Sequence, residues 1–219
     1  MAVAFNLVVL VSGRGSNLQA ILDAIARGEL AAKVAAVISN DPQAQALERA
    51  SRAGLPVAVV DHRTFARRRD FDAALAEVID DYAPQLIPLA GFMRRLDADF
   101  VQRYWGRLIN IHPSLLPRFK GLNTHARVLA AGEREHGVSV HFVTPELDGG
   151  PVIARARVAV RPDDDPPRLA ARVLSQEHQL YPAVLSWFAA GRVSLAADHR
   201  VWWDGAPLAA PREPLSPLP

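Results

Sequence analysis

The stretch from Phe5 to Asn17 limits the fold more than any other. FNLVVLV is an apolar run of the kind buried on both faces of a sheet. Ser12-Gly13-Arg14-Gly15-Ser16-Asn17 follows at once. Leu18, Ile21, Leu22 and Ile25 then share one helical face, with Gly28 as the stop. A buried strand, a glycine turn and a helix open a parallel α/β sheet. The same arrangement aims backbone N–H groups and a helix N-terminus at an anion. The turn is not a P-loop, because no Gly-Lys-Ser/Thr follows. As a dinucleotide fingerprint it fails at Leu18, where a third glycine belongs. A small phosphate monoester is the ligand that fits this loop; the plainer reading is a tight βα turn.

The alternation continues. Strands are expected at Val34–Ile38, Val57–Val60, Leu86–Ala90 and Leu108–Ile111. Helices are expected at Gln43–Ala53, from Phe71 to Tyr82, and at Asp97–Tyr104. This predicts an α/β fold with a doubly wound, mostly parallel sheet and helices on both faces. Pro88 is awkward inside a central strand, since it cannot donate to the ladder, and a bulge is one account. The run Arg67-Arg68-Arg69 lies at a helix start, where cations oppose the helix dipole. It reads as a solvated face or as a clamp for an acidic ligand. Further on, the pattern predicts a short helix at Ala126–Ala131 and strands at Val138–Thr144 and Val152–Val160. A helix from Pro166 that bends before Pro182 and ends near Ala190 follows, then a hairpin at Val201–Gly205. A single domain over residues 1–205 is expected, then a loose proline-rich tail over 206–219.

The segment LINIHPSLLPRFK, Leu108 to Lys120, carries the clearest chemistry. Alternation on a strand puts Asn110 and His112 on one side, and Pro113 ends the strand. The carboxyl ends of parallel strands are where such sheets bind ligands. An amide that donates to a developing oxyanion, beside an imidazole that titrates near neutral pH, suits acyl transfer. The plainer reading has His112 capping the strand end. Ser114 tempts a serine-nucleophile reading, but no Gly-x-Ser-x-Gly elbow surrounds it and a structural role fits better. Ser139 and His141 share a face of the next strand, either as core polar groups or as support for the site.

Composition excludes several classes. The 219-residue chain has no cysteine, so it has no disulfide, thiolate nucleophile or cysteine-ligated metal. The formal net charge of +2 gives no field that would recruit nucleic acid. No apolar run reaches membrane-spanning length, and the N-terminus lacks the basic leader of a signal peptide. A cytoplasmic protein without a membrane or nucleic-acid partner is expected, monomeric or weakly dimeric.

Together, SGRGSNLQAI, LAGFMR, LINIHPSLLP, EHGVSVHFV, ELDGGPVI and QEHQLYP are specific. Over nearly the whole chain, to about Asp204, it resembles the folate-dependent phosphoribosylglycinamide formyltransferases. The resemblance implies the formyltransferase fold, with a Rossmann-like N-terminal half. It implies 10-formyltetrahydrofolate as co-substrate, a glycinamide ribonucleotide as acceptor, and no metal. By position, it implies that Asn110, His112 and Asp148 are catalytic. Gly15, Ser16, Asn17 and Glu177 would hold the ribonucleotide. Arg68, Met93, Arg94, Arg95, Leu96, Thr144, Pro145, Glu146 and Leu147 would contact the folate. Arg14, Asn123 and Pro145 depart from the family pattern. Arg14 would add a phosphate contact, and Asn123 stands where a histidine is usual.

The amine would attack the formyl carbon. Asn110 and a protonated His112 would stabilise the oxyanion, and Asp148 would stabilise the imidazolium and take the amine proton. Rivals are a formyltetrahydrofolate hydrolase, expected to carry an N-terminal regulatory domain, and a methionyl-tRNA formyltransferase, expected to carry a C-terminal RNA-binding barrel. From other classes come a non-catalytic nucleotide-phosphate sensor and a dinucleotide dehydrogenase. The sensor has no need of Asn110, His112 and Asp148. Leu18 disfavours the dehydrogenase, and only Asp41 offers a weak ribose-binding acid.

Overall fold

A computed structural model describes residues 5–215. The first four residues and the last four of the expected tail lie outside the described residues. The chain divides into two compact units, one ending at Asn110 and the other beginning at Ile111.

The first unit begins with β1 (Phe5–Val11), α1 (Ser16–Ala26), β2 (Ala32–Ser39), α2 (Gln45–Arg52) and β3 (Val57–Val59). It continues through α3 (Arg68–Asp80), β4 (Ile87–Leu89) and α4 (Ala98–Arg103) to β5 (Leu108–His112), within which the division falls. The strands are parallel, in the order β3-β2-β1-β4-β5. Leu7 to Val11 are wholly buried, as a central strand covered on both faces requires. The expected α/β class, with its mostly parallel sheet, is the one observed.

Pro88 interrupts the sheet without bulging it. Val8 N–H donates to Leu86 O at 3.2 Å and Ala90 N–H to Leu10 O at 2.8 Å. The position between them on β4 is Pro88, which has no N–H to give. The β1–β4 ladder therefore consists of separate pairings at Leu7↔Leu86 and Leu10↔Leu89. The cost is about one ladder bond, and β4 keeps its regular pairing with β5 from Ile87 to Leu89.

At the start of α3, Arg67 pairs with Asp70 at 2.9 Å, which offsets the unfavourable cation. Asp97 caps α4 by accepting from Phe100 N–H at 2.8 Å. The Asp97 N–H in turn donates to Asp72 Oδ2 at 2.8 Å.

The second unit holds α5 (Thr124–Ala130), β6 (Glu135–Phe142), β7 (Val152–Ala159), α6 (Pro166–Ala189), β8 (Val193–Leu195), β9 (Val201–Trp203) and β10 (Ala206–Pro207). β6 and β7 pair antiparallel; β8, β9 and β10 form a small antiparallel sheet that contains the expected hairpin. β6 starts three residues earlier than the pattern suggested, and His136 on it is 1% exposed. α6 runs through Pro182 as one helix, capped by Asp165 with Pro166 at its start. Beyond β10 the chain does not hang loose. Arg212 N–H donates to Ile153 O and Arg155 N–H to Arg212 O, so this part of the tail adds alongside β7. Arg157 pairs with Glu213, which anchors it further. Among the described residues, no helix is long and apolar enough to cross a membrane.

Two predictions follow from buried titratable groups. Burial raises the Asp72 carboxyl to about 6, against the Asp97 N–H bond that lowers it. Its ordinary value is 3.8, so the folded state holds this proton more tightly than the unfolded chain. The associated stability is complete below pH 3.8 and is lost as pH rises through about 6. Asp72→Asn keeps an acceptor for Asp97 and carries no charge. It should raise stability at about pH 8 by on the order of 2 kcal/mol, and by nothing near pH 4, in urea unfolding; equal effects at both pH values would refute this.

Burial also depresses the imidazoles of His125, His136 and His141, with His136 lowered to about 4. The unfolded chain then binds more protons, so stability should fall as pH drops from about 6.5 to 4. His136→Asn should flatten that fall, and an unchanged slope in thermal unfolding would count against it.

Candidate active site

In the first unit the β1–α1 turn has the geometry of an anion cradle. Gly15 sits at φ 73° as the N-cap of α1, without a side-chain cap, and Gln19 N–H to Gly15 O at 3.0 Å is the first intrahelical bond. The first N–H groups of a helix have no intrahelical acceptor, and so this end can receive a phosphate. Gly15 is required twice over, because a Cβ there would stand 2.6 Å from Ala46 Cβ and its φ is left-handed. The turn is clamped from α2: Ala46 N–H donates to Gly13 O at 3.0 Å, and Arg49 Nε to Arg14 O at 2.8 Å. Arg14 itself is exposed, and Asn17 is buried.

The folate-side residues expected in this unit sit near strand β4 and at the start of α3. Met93 is 69% exposed, while Leu96 is buried. Arg94 Nε is buried without a hydrogen-bond partner among the described residues. Burial raises the Asp72 carboxyl, and the charges of Arg68 and Arg94 oppose this more weakly.

In the second unit the end of β5 meets the acidic loop. His112 is 6% exposed. Its Nε2 lies 3.0 Å from the carbonyl oxygen of Phe119, so Nε2 carries a proton and donates. Its Nδ1 lies 3.5 Å from Asp148 Oδ2. Asp148 sits at φ 47°, and its Oδ2 also accepts from Gly121 N–H at 2.8 Å. Asp148 Oδ1 stands 3.7 Å from His141 Nε2. Nδ1 of His141 donates to Phe142 O at 2.8 Å, and burial pushes its imidazole toward the neutral form. The neutral ring therefore turns a bare Nε2 toward the carboxylate. One buried carboxylate lies between two imidazoles.

The loop that carries Asp148 folds back tightly on β6. A Cβ at Gly150 would stand 1.8 Å from Phe142 O, so only glycine fits. Within Thr144–Leu147, Leu147 is exposed and Glu146 pairs with Lys120 at 2.7 Å. Glu177 is buried on α6.

The HPSLLP loop is rigidly wired. Ser139 Oγ donates to Ser114 O at 2.7 Å and accepts from Leu116 N–H at 3.1 Å. Ser114 Oγ donates to Arg118 O at 2.8 Å, so its hydroxyl is structural and not a nucleophile. The Leu116–Pro117 bond is cis, and Arg155 donates to Leu116 O. Phe119 sits at φ 56°, with its carbonyl 3.0 Å from His112 Nε2. Asn123 takes a left-handed φ of 56° before α5, a conformation asparagine tolerates better than most residues. Sequence reasoning missed the carbonyl of Phe119 and the N–H of Gly121, since backbone groups leave no signature in a side-chain pattern. It named His141 without settling its role. Among the described residues, no three His, Cys, Asp or Glu are arranged to hold a metal.

Comparison with known proteins gives the family. The sequence pattern of the formyl transferase family matches residues 5–185. The phosphoribosylglycinamide formyltransferase of Escherichia coli (strain K12) is 51% identical over 200 residues, covering 91% of this chain and 94% of that protein. The human trifunctional purine biosynthetic protein adenosine-3 is 40% identical over 198 residues, 90% of this chain and 20% of that protein. Among solved structures, the phosphoribosylglycinamide formyltransferase of Coxiella burnetii is 52% identical with a TM-score of 0.92, covering 99% of this chain and 100% of that one. The chain belongs to the formyl transferase family.

Proposed function

We propose that this protein transfers the formyl group of 10-formyltetrahydrofolate to the amine of 5-phosphoribosylglycinamide, a step of purine synthesis, in the cytoplasm. The observation that carries the reading is the Asp148 carboxylate 3.5 Å from His112 Nδ1 at the end of β5, with Asn110 two residues before the histidine on that strand. The β1–α1 cradle supports a phosphate-bearing acceptor. Gly15, Ser16, Asn17 and Glu177 are assigned to the ribonucleotide. Arg68, the Met93–Leu96 segment and the Thr144–Leu147 loop are assigned to the folate.

The amine nitrogen attacks the formyl carbon, and the carbonyl becomes an oxyanion. The Asn110 side-chain amide donates to that oxygen. Removing one such donor typically costs about 3 kcal/mol, a factor of roughly 100 to 1000 in rate. His112 Nε2–H is committed to Phe119 O, so the proton that distinguishes the imidazolium sits on Nδ1. Asp148 Oδ2 stabilises that charge across 3.5 Å. Collapse of the intermediate breaks the bond to the folate nitrogen, which leaves with the His112 Nδ1 proton. The attacking amine loses its proton to Asp148, directly or through a water. The products are the formamide of the ribonucleotide and tetrahydrofolate, and no covalent enzyme intermediate is required.

His112→Ala and Asp148→Asn should each lower kcat by at least roughly 100-fold while ribonucleotide binding stays within about two-fold of wild type. Asn at position 148 still accepts from Gly121 N–H, so this variant keeps the loop. Calorimetric ribonucleotide binding and steady-state turnover check both. Turnover near wild type in either folded variant would overturn the assignment.

A further inference from the structure

Ser12 stands between two segments assigned above to different substrates. It follows the last residue of β1 and precedes the Gly13–Asn17 turn. Its hydroxyl oxygen accepts from Met93 N–H at 2.7 Å, the first residue of the segment assigned to the folate. The hydroxyl proton is directed to Asn40 Oδ1. A hydroxyl has one proton, and here a fixed acceptor takes it, so the lone pairs are left facing Met93.

Asn40 is itself anchored. It is 3% exposed, and His62 Nδ1 lies 2.8 Å from its backbone carbonyl and 3.0 Å from its side-chain Nδ2. Ser39, the residue before it, is wholly buried and exchanges hydrogen bonds with the Asp41 backbone at 2.8 Å and 3.0 Å. Asn40 thus offers the Ser12 hydroxyl a buried acceptor. Met93, by contrast, follows Gly91 at φ 76° and exposes its side chain.

We infer that Ser12 is a positioning residue that couples the two substrates, so that a phosphate seated on the β1–α1 turn sets the Met93–Leu96 segment for the folate. The inference rests on the substrate assignments proposed above. Ordering of Gly15–Asn17 by a phosphate fixes Ser12 three residues upstream. The Ser12 oxygen then fixes Met93 N–H, and with it the backbone of the folate segment. Each ligand in turn removes conformational freedom that the other would otherwise have to remove, which is positive coupling by linkage.

The test uses unformylated 5,8-dideazafolate, which cannot react, and glycinamide ribonucleotide. Its dissociation constant is measured by calorimetry alone and with saturating ribonucleotide. Wild type should bind the folate probe roughly five-fold more tightly or better in the presence of ribonucleotide. In Ser12→Ala that ratio should fall to near one, while each ligand alone binds within about two-fold of wild type. Ser12→Thr keeps the hydroxyl and should restore the ratio; a merely structural loss would weaken both ligands equally and leave the ratio alone. Should Ser12→Ala fail to fold, the amide resonance of Met93 in wild type must still shift on adding ribonucleotide without folate. A wild-type ratio of one, an unchanged ratio in folded Ser12→Ala, or a silent Met93 amide would overturn the coupling. Failure of wild type to bind ribonucleotide would instead overturn the proposed function, and the coupling with it.

Discussion

The hydrogen bond from His112 Nε2 to the carbonyl of Phe119 decides how the His112, Asp148 and His141 side chains can face one another. At 3.0 Å it assigns one ring proton and turns Nδ1 toward Asp148. Phe119 takes a left-handed backbone conformation there, and the loop leading to it is held by Ser139 and Arg155 from β6 and β7. The carboxylate is placed with equal economy. One oxygen takes the Gly121 amide, and the other faces a histidine whose remaining nitrogen can only accept. An imidazole and a carboxylate are thereby held side by side in a buried place, where desolvated polar groups need such backbone support.

The anion cradle depends on a different constraint, that of close backbone packing. Gly15 has no room for a side chain against Ala46, and α2 grips the turn through Ala46 N–H and the Arg49 side chain. Ser12 links the start of this turn to Met93 by one hydrogen bond.

Much of this was legible in the residues. The apolar runs and glycine stops located every strand of the parallel sheet, because a strand buried on both faces has a composition that few other elements share. Asn110 and His112 were placed on one side by strand alternation alone. Two features were not legible. Pro88 looked like a bulge, yet a single missing N–H is absorbed by splitting one ladder into separate pairings. The proline-rich tail looked loose, yet its backbone pairs beside β7 at Arg212, a long-range contact that no local pattern encodes. In each case tertiary packing overrode a local preference. The roles of Phe119 O and Gly121 N–H were hidden for another reason, since they belong to the backbone.

The most direct measurement of the central claim is the absorbance change on deformylation of 10-formyl-5,8-dideazafolate, followed with and without glycinamide ribonucleotide. The account predicts deformylation only when the ribonucleotide is present, with one formyl group appearing on the ribonucleotide for each folate consumed. Deformylation at the same rate without ribonucleotide would contradict it and mark a hydrolase. No deformylation by folded protein that binds both ligands would contradict it in favour of a sensor.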